Sequence, residues 1–451
     1  MTPRALMVQG TASGVGKSLL TTALARLLHR RGIDVCPFKA QNMSNNARVV
    51  AGGEIGTAQY LQALAARVEP DVRMNPILVK PEADDRSQVV VLGQADLELS
   101  RRRWRERAPS LWPVAADALA SLQREHELVL LEGAGSPAEI NLRDTDLANM
   151  RSAEAADARV LLVADIDRGG AFAHLVGTWS LLHDAERRRL CGFVLNKFRG
   201  DASLLPPGPE RIRELTGVPT VGVVPWLRHR LPDEDGAFVT SSRAGGPVVA
   251  VVRYPTASNL DELKPLEDVA AVRWAQRPEQ LTGADIVVLP GSKHVAADLA
   301  WLRATGLADA IAASPTRVLG ICGGLQMLGR ELVDEGGVDG SAQGLGLLPV
   351  RTVFHAQKRV ARKQVRFGDL DTPWQPLSGR TFDGYEIRHG DTGCDVAAVG
   401  NVLGVAVHGM FESPGIIGAL LGAKPALELD LLFDELADAV EPHLDLDAIL
   451  A

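Results

Sequence analysis

A cysteine between glycines, Gly320-Ile321-Cys322-Gly323-Gly324-Leu325-Gln326, closes a short apolar run and opens a segment with helical spacing. Small neighbours let a nucleophile sit on a sharp strand-to-helix turn at strained backbone angles, its side chain at the sheet edge. A thiol at the amino end of a helix is favoured as thiolate and can attack a carbonyl carbon. The N–H of Gly323 would then face the developing oxyanion, and a second donor is expected from the glycine turn Leu289-Pro290-Gly291-Ser292-Lys293-His294. Gln326, on the first helical turn, could grip an amino-acid substrate. Such a thiol needs a base. Of His355, His389, His408 and His443, we prefer His408, because Val405-Ala406-Val407-His408-Gly409 puts it just past an apolar strand and before a glycine. His389, in Tyr385-Glu386-Ile387-Arg388-His389, is the runner-up on the same grounds. Cys36, Cys191 and Cys394 have no such setting and read as core thiols.

A second reactive constellation starts at an apolar strand, Ala5–Gln9, that runs into Gly10-Thr11-Ala12-Ser13-Gly14-Val15-Gly16-Lys17-Ser18 and then an apolar helix. Strand, glycine loop and helix are the context a phosphate-binding loop requires. Backbone N–H groups from Thr11 to Gly16 would cradle phosphates, with Gly14 and Gly16 allowing close approach, while Lys17 supplies positive charge and the Ser18 hydroxyl can reach Mg²⁺. The loop departs from GxxxxGK[ST] once: Thr11 stands at the first glycine position and the glycine falls at Gly10. A second metal ligand is expected at a neighbouring strand end, where Leu128–Leu131 leads to Glu132. Directly after another strand comes an amide-rich run with Lys39, Gln41, Asn42, Ser44 and Asn45, expensive to bury unless each amide meets a partner, so these residues are candidates for a polar ligand. Glu139, Asp144 and Asp146 are further acidic candidates for metal or substrate, and Asn196, at the end of a late strand, is expected to face adenine.

These groups must be held by elements, and the elements are legible as short apolar runs between amphipathic stretches. Ala5–Val8, Val35–Phe38, Leu128–Leu131, Val160–Ala164, Gly192–Asn196 and Val221–Val224, with a helix over Lys17–Arg31, read as parallel strands buried on both faces. The pattern stops after Pro225. Residues 226–246 are rich in Pro, Gly and Ser and read as a linker, after which Val248–Arg253, Asp285–Leu289, Arg317–Cys322 and Leu403–Val407 begin a second series. The expectation is two α/β domains, 1–246 and 247–451. The chain has 451 residues with 48 Lys+Arg against 56 Asp+Glu, a net charge of −8, which gives no electrostatic footprint for nucleic acid or an anionic membrane. Four scattered cysteines without a metal-ligand pattern argue against structural zinc and disulfides. With neither signal peptide nor membrane span in evidence, a cytoplasmic protein is expected. Oligomeric state is left open, a homo-oligomer included.

The cysteine motif resembles the class I, triad-type glutamine amidotransferases. The usual glutamate two residues beyond the histidine is here Met410, which is similar to the cobyric acid and cobyrinic acid diamide synthase branch, working with a Cys–His pair. The displaced Gly-Thr of the phosphate loop resembles dethiobiotin synthetase-like P-loop enzymes. PFKAQNMSNN, GGEIGTAQ, MNPILVKP, SQVVVLGQ, LEGAGSPAEINLRDTDLANM, VADIDRGGAFAHLVGT and LNKFRGD carry the resemblance to this cobyric acid and cobyrinic acid diamide synthase family along nearly the whole chain. The family pattern has Gly-Thr-Tyr before its histidine where this chain has Gly404-Val405-Ala406. The resemblance implies a P-loop parallel-sheet domain followed by a flavodoxin-like amidotransferase domain. It further implies ATP, Mg²⁺ and glutamine as nitrogen donor, and a corrinoid substrate whose peripheral carboxylates are amidated. Which carboxylates is open between two reactions: positions b, d, e and g of adenosylcobyrinic acid a,c-diamide, favoured by PFKAQNMS, or the a and c positions of cobyrinic acid. A P-loop binding protein with an inactive glutaminase domain is the remaining alternative.

Overall fold

The computed structural model describes residues 4–83, 86–232, 246–425 and 428–451. In the first half, β1 (Ala5–Gly10), α1 (Lys17–Arg30), β2 (Val35–Phe38), β3 (Leu128–Glu132), β4 (Arg159–Asp165), β5 (Leu190–Phe198) and β6 (Thr220–Pro225) belong to one layered unit. Its six strands are all parallel, in the order β6-β5-β4-β1-β3-β2. β1 and β3 are buried at every position, so their sequences run apolar without alternation. α1 packs Leu20, Leu24, Leu27 and Leu28 against the sheet. Because β1 and β3 are neighbours, the loop after Gly10 and the carboxylate of Glu132 emerge side by side at the carboxyl edge. Between β2 and β3 the chain makes a small four-stranded sheet and a hairpin of Ala47–Val50 with Gly53–Gly56. Gly53 admits no side chain, since a Cβ there would lie 2.2 Å from the Gly93 carbonyl oxygen.

In the second half, β7 (Val248–Val252), β8 (Ala271–Ala275), β9 (Ile286–Leu289), β10 (Arg317–Ile321), α2 (Gly323–Leu328), β11 (Arg351–Arg366), β12 (Thr381–Asp391), β13 (Val396–Val399) and β14 (Val402–Val405) follow. The sheet order is β8-β7-β9-β10-β14-β13, parallel except for β13. β10 and β14 are adjacent, so Cys322 and His408 leave the same sheet edge. β11 and β12 pair outside that sheet as a long antiparallel ribbon.

The expected boundary needs a correction at the far end. α3 (Leu429–Val440) turns Phe433, Leu436, Ala437 and Val440 into the core of the first domain, beside Leu24 and Leu27. Arg26, 1% exposed, meets Asp430 and, at 3.4 Å, Asp434, with its guanidinium 5.5 Å from the Phe433 ring centre. The second domain therefore ends before α3. An amphipathic helix shows that it has an apolar face; it does not show which sheet covers it. Most of the expected linker, residues 233–245, lies outside the described residues. No helix among the described residues is long and apolar enough to cross a membrane.

Candidate functional site

Cys322 sits between β10 and α2 at φ 50°, ψ −104°, a positive-φ conformation rare for a residue with a side chain. The surrounding glycines make the turn possible: a Cβ on Gly324 would lie 2.0 Å from the Leu289 carbonyl oxygen, and one on Gly320 2.6 Å from the Gly324 carbonyl carbon. His408, 1% exposed, lies beside Cys322, close enough for each to shift the other's titration. Its Nδ1 lies 2.7 Å from Glu262 Oε1, which leaves Nε2 for the sulfur, while the other Glu262 oxygen accepts from the Gly409 N–H at 2.7 Å. This corrects the expectation of a Cys–His pair. The third member is present, supplied by the 3₁₀ segment Leu260–Asp268 rather than by a residue just beyond the histidine.

The electrostatics follow from this contact. Burial pushes the Cys322 thiol up, but the charge and hydrogen bond of His408, with Arg388 behind them, outweigh it and bring the thiol below its ordinary range. Burial pulls His408 down, yet Cys322 and Glu262 raise it to about 10. Both shifts favour the thiolate–imidazolium form of the pair. α2 is a helix of only six residues, so its dipole is a small part of this. Gly291 is beside the histidine, since a Cβ there would lie 2.6 Å from His408 Cε1, and Gly323 faces the Ser292 backbone nitrogen, 2.6 Å from where its own Cβ would be. Gln326, 2% exposed, donates to the Gly390 carbonyl at 3.3 Å. The runner-up base is displaced: His389 Nδ1 faces the His355 carbonyl at 3.0 Å, and burial with the Lys358 charge lowers the imidazole to about 4. A cavity of about 560 Å³ beside it is lined by Lys358, Arg359, Arg388, Gly390 and Asp391 among others.

In the first domain the glycine loop follows β1, but the Thr11 N–H, expected to cradle phosphate, is taken by the sheet. Gly14 and Gly16 have φ of 70° and 95°, and Thr11 is tied to β4 through its N–H to the Val163 carbonyl at 2.9 Å. Lys17 Nζ donates to the carbonyls of Ala12 at 3.0 Å and Gly135 at 3.2 Å. Ser18 Oγ lies 2.9 Å from Glu132 Oε1, the same oxygen lies 2.8 Å from Lys39 Nζ, and Gln62 donates to Oε2 at 2.5 Å. Adjacent oxygens around an octahedral Mg²⁺ with bonds near 2.1 Å stand about 3.0 Å apart, so Ser18 and Glu132 fit as neighbouring ligands of one such ion. Among the described residues there is no cluster of three or more His, Cys, Asp or Glu for a metal, so an ion here would take its remaining oxygens from phosphate and water.

Three expected roles change. Lys39 is ion-paired to Glu132 instead of standing free for substrate. Asn196, 3% exposed, donates to the Val15 carbonyl at 2.7 Å and so braces the loop rather than presenting itself to adenine. Asp146 caps the next turn through the N–H groups of Ala148 and Asn149 and holds the Asn149 amide at 2.8 Å; Asn149 in turn fixes the Ala134 backbone after Glu132. Glu139 and Asp144 are exposed. In the amide run, Gln41 is half-buried on the strand Gln41–Met43, Asn42 bonds Gln59 at 3.1 Å, Ser44 Oγ accepts from the Asn46 N–H, and Asn45 Oδ1 is buried without a protein partner. Glu262 is the member that residue-by-residue reading missed: it lies 146 positions before His408, in a segment with no motif of its own.

Residues 6–234 match the family described as the CobQ/CobB/MinD/ParA nucleotide binding domain, and residues 248–415 the CobB/CobQ-like glutamine amidotransferase domain. A phosphate loop on one sheet and a Cys–His–Glu elbow on the next are the two halves of a glutamine-dependent amide ligase. A cobyric acid synthase of Polaromonas sp. is 54% identical over 98% of this chain and 97% of its own. Those of Polaromonas naphthalenivorans and Variovorax paradoxus are each 56% identical, over 99% of this chain and 98% of theirs. The chain belongs to the cobyric acid synthase family, amide ligases of cobalamin biosynthesis.

Proposed function

We propose that the chain amidates the b, d, e and g carboxylates of adenosylcobyrinic acid a,c-diamide to give adenosylcobyric acid, using ATP and glutamine. The observation that carries this is the presence, in one chain, of Cys322 beside a His408 held by Glu262 and a phosphate loop whose Ser18 converges on Glu132. A carboxylate is a poor electrophile. Transfer of the ATP γ-phosphoryl group to a substrate carboxylate oxygen, with ADP leaving, turns it into an acyl phosphate; Lys17 and the loop N–H groups beyond Thr11 hold the phosphates. Mg²⁺, held by Ser18 and Glu132, would neutralise phosphate charge. In the second domain the Cys322 thiolate attacks the glutamine amide carbon, and the N–H of Gly323, with one from the Gly291 turn, stabilises the oxyanion. His408 protonates the departing ammonia, then takes a proton from the water that hydrolyses the thioester. Ammonia passes within the protein to the acyl phosphate, and phosphate leaves. Glutamine is read by Gln326, with its α-carboxylate toward Arg388 and Arg359 and its ammonium toward Asp391. Gln41, Asn42, Ser44 and Asn45 face the corrinoid.

The test is mass spectrometry of products formed from the a,c-diamide with ATP, Mg²⁺ and either glutamine or ammonia. Cys322→Ala is expected to lose amidation with glutamine and keep it with ammonia, and Lys17→Ala to lose both. Activity on cobyrinic acid and none on its a,c-diamide would overturn the choice of substrate. Glutamine-dependent amidation surviving Cys322→Ala would overturn the glutaminase.

A further inference from the structure

Arg48 belongs to the first domain, on the strand Ala47–Val50, just after the amide-rich run. Its side chain is 8% exposed and reaches into the second domain, where it pairs with Asp261 and Glu412. The guanidinium carbon lies 5.8 Å from the Tyr60 ring centre and 5.1 Å from that of Tyr385. Each second-domain partner is one step from His408. Asp261 directly precedes Glu262, the carboxylate on His408 Nδ1. Glu412 ends the turn Met410–Glu412, which follows the Gly409 whose N–H also rests on Glu262. Tyr385 stacks on the imidazole with ring centres 5.4 Å apart at 21°, and the two residues exchange main-chain hydrogen bonds of 3.1 and 3.0 Å. The same seam is stitched by Asn259, whose amide donates to the Ala47 carbonyl at 2.8 Å and to the Tyr385 hydroxyl at 3.2 Å, and by the Leu260 N–H, which donates to Asn46 Oδ1 at 3.0 Å.

We propose that Arg48 is a positioning residue for glutamine hydrolysis: anchored in the synthetase domain, it fixes the Asp261–Glu262 segment and Tyr385, and through them the His408 ring against Cys322. The charges require it. Asp261, Glu262 and Glu412 bring three carboxylates together, with Arg48 and the His408 imidazolium as the cations between them. Without the guanidinium, Asp261 and Glu412 face each other and Glu262 uncompensated, and like charges in a buried seam separate or take up protons. Either response moves the segment that carries Glu262, and a shift of about 1 Å at a catalytic group can cost on the order of a hundredfold in rate. Since Asn46 directly precedes and Arg48 sits on the strand Ala47–Val50, which follows the run proposed to face the corrinoid, the glutaminase base is on this reading built onto the wall of the acceptor site. This rests on the reading of Cys322 and His408 as the glutaminase.

The experiment uses the full chain and compares Arg48→Met with the parent by the ratio of glutamine-dependent to ammonia-dependent amidation on one preparation, so that loss of folded protein cancels. The ratio is expected to fall roughly tenfold or more, through kcat for glutamine hydrolysis, with KM for glutamine within about twofold. If Arg48 acts through Glu262, adding Arg48→Met to Glu262→Gln lowers the ratio little further. An unchanged ratio, a loss carried by KM, or full additivity with Glu262→Gln would overturn the proposal. The underlying reading fails separately, through Cys322→Ala retaining glutamine-dependent amidation.

Discussion

Exchanging Glu262 for glutamine keeps its shape and removes its charge. The residue is 1% exposed, with one oxygen on His408 Nδ1 and the other on the Gly409 N–H, both at 2.7 Å. Two things are lost. An amide NH₂ facing Nδ1 favours the tautomer with its proton on Nε2, which cannot accept one from Cys322. The imidazolium also loses its counter-charge, which at about 4 Å between charge centres and an effective dielectric near 20 is worth about 4 kcal/mol, roughly a thousandfold in rate. The same exchange in a serine-hydrolase triad costs about ten-thousandfold and sets the upper end. Glutamate release from glutamine should therefore fall by roughly a thousand- to ten-thousandfold, while ammonia-dependent amidation, measured alongside, proceeds in the first domain. The alkaline limb of the glutaminase profile should also move down. His408 stands at about 10 because Cys322 and Glu262 together outweigh burial, and removing one of the two lets it fall. A Glu262→Gln enzyme that keeps glutamine hydrolysis within about tenfold of the parent would refute the triad and restore the Cys–His pair.

Two further outcomes can be checked by stability alone. Glu54, fully buried, carries Lys80 at 2.5 Å and Lys358 of the ribbon, so Glu54→Gln strands two buried ammonium groups and should cost about 3–5 kcal/mol in a thermal or denaturant melt, whereas Lys358→Met leaves a balanced pair and should cost far less. Burial raises Glu54 but its lysines bring it to about 2, so this stabilisation is complete above the ordinary value of 4.5 and vanishes as pH falls through about 2; a gap between Glu54→Gln and parent that stays constant down to pH 2 would contradict it. Phe433→Ala removes a ring 1% exposed from the first domain's core and should destabilise that domain by about 3–5 kcal/mol, and a first-domain melt unchanged by the substitution would separate α3 from it.

What was legible in the sequence was what local chemistry dictates. The strands buried on both faces read as apolar runs, and the glycines of the phosphate loop and of the Cys322 elbow read as places where the backbone must turn left-handed or come close to another chain segment. The illegible features depend on partners far along the chain. β11 carries six Lys or Arg and no acid in 16 residues, a composition that reads as a solvated surface, yet it is a strand because β12 pairs with it. Glu262 lies in a segment whose pattern resembles any capped turn, and only the fold brings it 2.7 Å from His408. Lys39 and Asp146 are expected from the sequence to meet substrate and Asn196 to meet adenine, yet each side chain meets a protein group instead, because which polar group lies within reach is a matter of angstroms that spacing does not carry.

Lys39 gives that last point an experimental edge. On a chain with a net charge of −8, a carboxylate-bearing substrate needs local cations, and Lys39 is the one lysine of the amide-rich run. Its ammonium nevertheless lies 2.8 Å from Glu132 Oε1, the oxygen that Ser18 also contacts, inside a pocket where the carboxylate is 1% exposed. A buried carboxylate stripped of its cation repels phosphate or takes up a proton, and either one damages the nucleotide step. Lys39→Met should therefore lower kcat for ATP-dependent amidation with glutamine and with ammonia alike, with KM for the corrinoid within about twofold of the parent. Had the lysine gripped a substrate carboxylate, the same change would raise that KM by roughly tenfold or more while leaving kcat at saturating corrinoid nearly intact, since binding shared by ground and transition states appears in KM alone. The second pattern would return Lys39 to the substrate. The first leaves the corrinoid to be recognised by neutral polar groups such as the Asn45 amide, whose buried Oδ1 is an acceptor without a protein partner.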